Sequence, residues 1–459
     1  MKNNVTSLRT RFLTWLLLAA SCVLLRADII GDWNNQALTA IRTETLISPQ
    51  ASRDLAMLHT AIYNAVEGIA GDYYLFTSGS YSGPSGTAPG GASMEAAAAA
   101  AAHTILQSLY TAPALSAAFS SLYSTQISAL PDDQARLDGI NFGTLVANDI
   151  LNWRSADGAA DAGDPGLYTP VGTVGHWAPT PASYSAAALP GWGDVTTFGI
   201  TGTAGFTGSL GMANADYVQT AQYATDYNTV KDLGSSTSGT RTADELNAAY
   251  FWAAVPGTIS TAGMWNEIAE IAASSALLTL QEKARLFAAL NVAMADTAIV
   301  TWETKFEVDF WSPITAIVNG SADGNAATIE DAAWEPLLDS PGYPAYFSDH
   351  AALAAAAAQV LGTALGDSFV FSLGSDIDGN GSDDQTRNFT GFLQAATENA
   401  NAQIWAGVSY GTSNMDSMTA GSNVADDVLN NHFAPVPEPA GALLVVLGAG
   451  LLGLRRRRA

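Results

Sequence analysis

The sequence predicts an all-α fold, and three observations predict it. Apolar residues recur at helical spacing, as with Leu55, Leu58, Ile62 and Val66 between Pro49 and Ile69. Alanines run from Ala96 to Ala102 ahead of Ile105, Leu106 and Leu109; alanine is the strongest helix former, and it is small enough for close helix packing. No strand–helix–strand alternation appears along the chain.

In order, the pattern places helices at 49–69 and 93–110. Further helices are expected at 113–129, 133–154, 214–232, 243–255, 263–279, 281–304, 349–365, 385–402 and 416–431. Two stretches break the pattern. Residues 158–209 are rich in Gly, Pro, Thr and Trp, and an aperiodic segment of that length is either functional or packed over the surface by its aromatics. Residues 374–384 (GSDIDGNGSDD) form a shorter irregular loop.

The two ends are a different material. Lys2, Arg9 and Arg11 precede the apolar run from Phe12 to Leu25, and Arg26-Ala27-Asp28 follows with a cleavage site expected at Ala27. That is the layout of a secretory signal, too short to span a bilayer comfortably. At the other end Val436-Pro437-Glu438-Pro439 leads into AGALLVVLGAGLLGL and then Arg455 to Arg458. An apolar stretch stopped by four arginines is held with its basic end on the cytoplasmic side. Both ends therefore place the body outside the cytoplasm. The order Pro-Glu-Pro, short hydrophobic helix, basic cluster resembles the PEP-CTERM sorting signal of Gram-negative bacteria. That resemblance implies the export machinery and an exosortase-type sorting enzyme as partners. It also implies delivery to the cell envelope or extracellular space, with an initial tether through the C-terminal helix and matrix polysaccharide as a neighbour.

The chain carries a formal charge of −25 and one cysteine. Basic residues at the two ends account for much of its positive charge, so the body is more acidic still. Such a surface repels nucleic acid and anionic lipid, and no nucleic-acid partner is expected. Cys22 lies in the signal, so the mature body needs no disulfide and is held by its core.

Read in order, a set of blocks resembles the vanadium-dependent haloperoxidases of the phosphatidic acid phosphatase type 2 superfamily. They are WNNQALTAIR with SRDLAMLHTAIYNAVEGI; HWAPTP with LPGWGDVTTF; and YATDYNTVKDLGSSTSGTRTADE. Next come WNEIAEIAA through LFAALNVAMADTAIVTWETKFEVDFWSPITAI, then WEPLLDSPGYPAYFSDHAALAAAAAQVLG, and finally FTGFLQAATENANAQIWAGVSY. The resemblance implies an all-α architecture of two joined four-helix bundles with long irregular Gly/Pro-rich connections. The expected organisation is a signal peptide at 1–27, a helical domain at 28–434 and a sorting signal at 435–459. Within the domain, halves at about 28–157 and 210–434 are joined by the irregular segment 158–209.

The resemblance also implies a vanadate or phosphate site. Such an oxyanion has to be held by cations and oriented N–H donors, because burying it unpaired is prohibitive. The family pattern uses a lysine, an arginine seven residues on along one helix face, and a Ser-Gly-His turn at a helix N-terminus. A second arginine follows, with a metal-ligating histidine six residues later. Here Lys305, Ser348 and His350 stand at family positions, and the resemblance implies an acid–base role for His350; a histidine kept at a helix start for packing and hydrogen bonding is the alternative. Ser312 replaces the first arginine, Asp349 the glycine, Gln403 the second arginine and Ser409 the histidine. One of three cationic side chains is left. For Lys305, an ion pair with Glu303, Glu307 or Asp309 is the alternative to anchoring an anion. His59, His103, His176 and His432 match no ligand position.

Asp376, Asp378 and Asn380 followed by Gly381, with Asp384 at the ninth position, match the opening of a calcium loop, although Arg387 occupies the twelfth. An Asn/Asp/Gly turn is the plainer alternative. The tryptophans fall inside the family blocks and are expected in the core. The sequence therefore leads to an exported, haloperoxidase-like protein with a degenerate oxyanion site, weakly active or non-catalytic. The alternative is an active vanadium haloperoxidase or an acid-phosphatase-type phosphoester hydrolase.

Overall fold

The computed structural model describes residues 28–181 and 183–437. The signal expected at 1–27 and the apolar, arginine-stopped part of the tail lie outside the described residues.

The first half is a bundle of α1 (Ile29–Thr43), α2 (Ser48–Ala70), α3 (Met94–Leu109), α4 (Pro113–Ser128) and α5 (Gln134–Arg154). Short helices α6 (Asn214–Tyr217), α7 (Ala221–Leu233) and α8 (Ala243–Phe251) follow the irregular segment, then α9 (Ser260–Ser275). The second bundle uses α10 (Leu280–Val308), α12 (Asp349–Leu365), α13 (Phe392–Trp405) and α14 (Gly411–Asn431), with the one-turn α11 (Pro313–Val318) between α10 and α12. The long α10 joins the bundles: it packs on α2 on one side and on α12 and α14 on the other. Its composition is apolar enough to cross a membrane, yet almost all of it is buried by protein. A 29-residue helix buried all round is the core of a large fold.

The alanine runs explain the closest packing. In α3 the small side chains admit α5 so closely that a Cβ at Gly143 would lie 2.1 Å from the Ala97 carbonyl. The second bundle repeats the device, with Gly421 of α14 against the Ala352 carbonyl at the same 2.1 Å. Any larger residue at either glycine would force the helix pair apart.

The irregular segment is pinned at its base. Asp296 of α10, fully buried, accepts from the backbone N–H groups of Phe198, Gly199 and Ile200 at 2.5, 2.7 and 2.9 Å. Arg154 donates to the carbonyls of Thr196 and Thr197 and pairs with Asp157, with its guanidinium 3.8 Å from the Phe198 ring centre. Buried charge is satisfied on both sides, so the segment packs without regular structure of its own.

Three expectations need correction. The helix placed at 385–402 begins only at Phe392; residues Gln385–Phe389 are a strand paired antiparallel with Phe371–Ser375. Phe371 and Phe389 are cross-strand partners and both are buried, so core packing of the aromatics overrides a helical reading of the polar residues between. The single helix expected at 214–232 is two, α6 and α7, with the Thr220 hydroxyl capping the second. Helix α1 had no counterpart in the helical pattern. Gly31, Asp32, Asn34 and Asn35 weaken its propensity, and burial of Ile30, Trp33, Leu38 and Ile41 supplies what propensity does not. Trp177, Trp192, Trp252, Trp265, Trp302, Trp311 and Trp334 are core residues, as expected.

Candidate functional site

The cavity of interest lies where α10 ends. Lys305 sits in the last turn of that helix, and Asp309 terminates it in a left-handed conformation. The chain then turns so that Ser312 is the N-cap of α11. Lys305 and Ser312 therefore do not share one helix face, as the spacing of seven would have it; they reach the same cavity across a helix break. Ser348 is the N-cap of α12, its hydroxyl accepting from Ala351 N–H, with Asp349 and His350 in the first turn. Gln403 comes from the last turn of α13, and Ser409 lies just ahead of α14.

Lys305, Ser312, Ser348, Asp349, Gln403 and Ser409 all line this one cavity. Six positions spread over about a hundred residues of sequence converge on it. The interior measures about 20 Å³, room for about one water. Lys305 is the one cationic side chain among the described residues lining it.

That cation is committed internally. The Lys305 ammonium donates to the carbonyls of Pro344, at 3.1 Å, and Phe347, and lies 3.8 Å from the Asp349 carboxylate. It also sits 4.3 Å from the ring centre of Tyr343, a cation–π contact. Tyr343 in turn donates its hydroxyl to Asp349 at 3.2 Å. Burial pushes the Lys305 ammonium down to about 8, against the opposing pull of Asp349. Burial beside Asp349 holds the Tyr343 hydroxyl well above its ordinary range, so it stays a donor. The ion-pair alternative for Lys305 is correct in kind, but the partner is Asp349 rather than Glu303, Glu307 or Asp309.

His350 does not line the cavity. Its Nδ1 faces the Thr261 hydroxyl at 3.2 Å and the Gln403 amide nitrogen at 3.1 Å. The Gln403 amide nitrogen donates, so Nδ1 accepts from it, while the Thr261 hydroxyl can serve as donor or acceptor. Burial pushes its pKa below the usual histidine value, with Asp349 opposing. Gln403 thus separates the imidazole from the cavity. Ser409 donates to the Asn414 side-chain oxygen at 2.8 Å, and Asn414 donates to the Ala400 carbonyl at 2.5 Å. That arrangement holds the α13–α14 corner and gives the hydroxyl no base. None of His59, His103, His176 and His432 lines the cavity. His176 pairs with Asp309 at 2.9 Å, and His432 meets the Gly199 carbonyl.

Tyr343, Thr261 and Asn414 were not singled out by sequence. Tyr343 had the nearest thing to a signal, since it lies five residues before Ser348 inside a quoted block.

The acidic loop is a separate feature. Asp376, Asp378 and Asp384 bring one carboxylate oxygen each within 4.8 Å of one another. Asp376 accepts from Asn380 and Gly381 N–H, while the Asn380 side chain accepts from Ser382 N–H. Arg42 lies 3.2 Å from Asp376. Arg387 turns away from the loop to pair with Glu398 and Asp244.

Comparison with known proteins places this geometry. Residues 285–436 match the family model described as the VCPO second helical-bundle domain. The span contains every one of the cavity positions named above. The first bacterial vanadium-dependent iodoperoxidase superposes with a TM-score of 0.73 at 23% identity, over 89% of this chain and 97% of that one. A holo-type bacterial vanadium-dependent chloroperoxidase gives 0.64 at 14% identity, over 85% and 93%. Its apo-type counterpart gives 0.62 at 15%, over 83% and 92%. No curated protein sequence matches the chain. The chain has the all-α fold of the vanadium haloperoxidases.

Proposed function

We propose that this protein is an exported scaffold with the haloperoxidase fold whose oxyanion site is closed by its own Lys305–Asp349 pair. It has weak or no haloperoxidase activity, and serves a structural or binding role in the cell envelope or extracellular matrix. One observation carries the reading: the cavity's single cation already faces an internal carboxylate and two carbonyls.

The residues present do not fit vanadate. A multiply charged oxyanion needs several charge-assisted donors, each worth about 1.5–3 kcal/mol. Ser312 and Gln403 supply no charge in place of the two arginines. Asp349 adds a negative charge at the α12 N-terminus, where the helix dipole would otherwise favour the anion. Ser409 offers a hydroxyl already bonded to Asn414 where the metal ligand belongs.

The test is equilibrium dialysis of the purified body against orthovanadate and against inorganic phosphate. No saturable binding at millimolar concentration is expected. Saturable binding that is lost on Lys305→Ala would overturn the reading.

A calcium ion on the 376–384 loop is a second and compatible proposal. The convergence of Asp376, Asp378 and Asp384 favours it. Those carboxylates, with Asn380 beside them, would supply the hard oxygen ligands the ion prefers.

A further inference from the structure

The two places where the described body meets its apolar ends lie close together. At one, the Asp28 carboxylate pairs with the Lys283 ammonium at 2.5 Å, in the first turn of α10. At the other, Val436 N–H donates to the Asp72 carbonyl at 2.9 Å, and Tyr73 and Pro435 form an isolated bridge. That corner is tied to the same turn of α10, since Gln281 donates to the Asp72 carboxylate at 2.7 Å. Arg285 donates to the Phe433 carbonyl at 2.9 Å. Both exits therefore sit at the N-terminal end of α10. Lys305 and its cavity sit at the C-terminal end of the same helix, 25 residues on by sequence number. At 1.5 Å per residue that is about 37 Å.

Resting on the reading of the C-terminal apolar stretch as a tether, we propose that the α10 N-terminal end of the body faces the lipid bilayer. The Lys305 cavity then points away from it. Five residues, Glu438 to Ala442, separate Pro437 from the first leucine of the apolar stretch. The six steps from Pro437 to Leu443 span about 21 Å at most when fully extended, so the near end cannot drift far from the lipid.

Charge decides how it sits there. Asp28, Asp32, Asp72 and Glu282 are at this end, while Lys283 is shared between Asp28 and Glu270, and Arg285 lies over the Tyr73 ring. An acidic face with its cations committed repels anionic headgroups. The tether alone holds the body, and the surface itself does not bind lipid.

The experiment uses the mature chain from Asp28 to Ala459, which has no native cysteine, carrying a single dye-labelled cysteine as Leu277→Cys or Glu307→Cys. Leu277 precedes α10 and Glu307 is near its far end; both are exposed. The protein is reconstituted into phosphatidylcholine–phosphatidylglycerol vesicles bearing headgroup-attached acceptors. Energy transfer from position 277 is expected to exceed that from 307 several-fold. A chain ending at Pro437 is expected not to float with the vesicles. Failure of the chain ending at Ala459 to float overturns the tether and the orientation together. Flotation with equal or inverted transfer overturns the orientation alone. Flotation of the shortened chain overturns the claim that the acidic face does not bind lipid.

Discussion

The Lys305 ammonium lies 3.8 Å from the Asp349 carboxylate, one at the end of α10 and the other at the start of α12, both almost fully buried. The two charges neutralise one another at the wall of the cavity that Ser312, Ser348, Gln403 and Ser409 also line. A buried pair of this kind is expensive to break from one side, because the survivor is left unpaired.

Asp349→Ala should therefore destabilise the protein by about 3 kcal/mol. It removes the counter-charge of Lys305, the acceptor of Tyr343 and a favourable carboxylate at a helix N-terminus. Urea denaturation at neutral pH measures it. A midpoint unchanged from the parent would show that the pair does not hold the site together.

Rebuilding the anion site should need four changes. Ser312→Arg, Gln403→Arg and Ser409→His restore charge and ligand, and Asp349→Gly removes the internal competitor. The combined variant is expected to bind orthovanadate and to be stabilised by it, by about 2.7 kcal/mol at a hundredfold excess over Kd, which a raised melting temperature reports. The three changes without Asp349→Gly should bind far more weakly. Equal binding with and without the glycine would remove Asp349 from the explanation.

The site and fold were legible to different depths. Helical spacing and the alanine runs marked most helices, because a buried helix writes its period into the sequence. The strand at Gln385–Phe389 was not legible, since its fit depends on Phe389 meeting Phe371 across a hairpin. The six cavity positions were legible through resemblance, and they do converge. The closure was not. Nothing local in the sequence says that Lys305 chooses Asp349 over Glu303, Glu307 or Asp309; the α10–α12 packing decides it. Likewise His350 matches its position by letter, but its ring is held behind Gln403.

Glu267 gives the fold a pH dependence. Burial, with Asp383 and Asp376 nearby, pushes its carboxyl up to about 7, while Arg42 opposes the shift. In the unfolded chain the group titrates near its ordinary value of 4.5. Between these values the native state holds a proton that the unfolded state has lost. This group therefore adds stability as pH falls from 7 towards 4.5, at up to about 1.4 kcal/mol per pH unit. Glu267→Gln should raise the melting temperature at pH 8 and flatten the profile between 7 and 4.5. Superimposable profiles for parent and variant would contradict the assignment.

Calcium has its own readout. If Asp376, Asp378 and Asp384 hold an ion, a chelator should lower the melting temperature of the parent. It should have no effect on Asp376→Ala. A parent insensitive to both chelator and added calcium would leave the loop an Asx-rich turn, with Arg42 as the counter-charge of Asp376.

Turnover reads out whether the Lys305–Asp349 pair has closed the oxyanion site. Peroxide-dependent oxidation of iodide and bromide should be followed with and without orthovanadate, in parent and His350→Ala. A closed site gives no vanadate-dependent rate above background and no difference between the two proteins. Vanadate-dependent turnover that disappears in His350→Ala would contradict it.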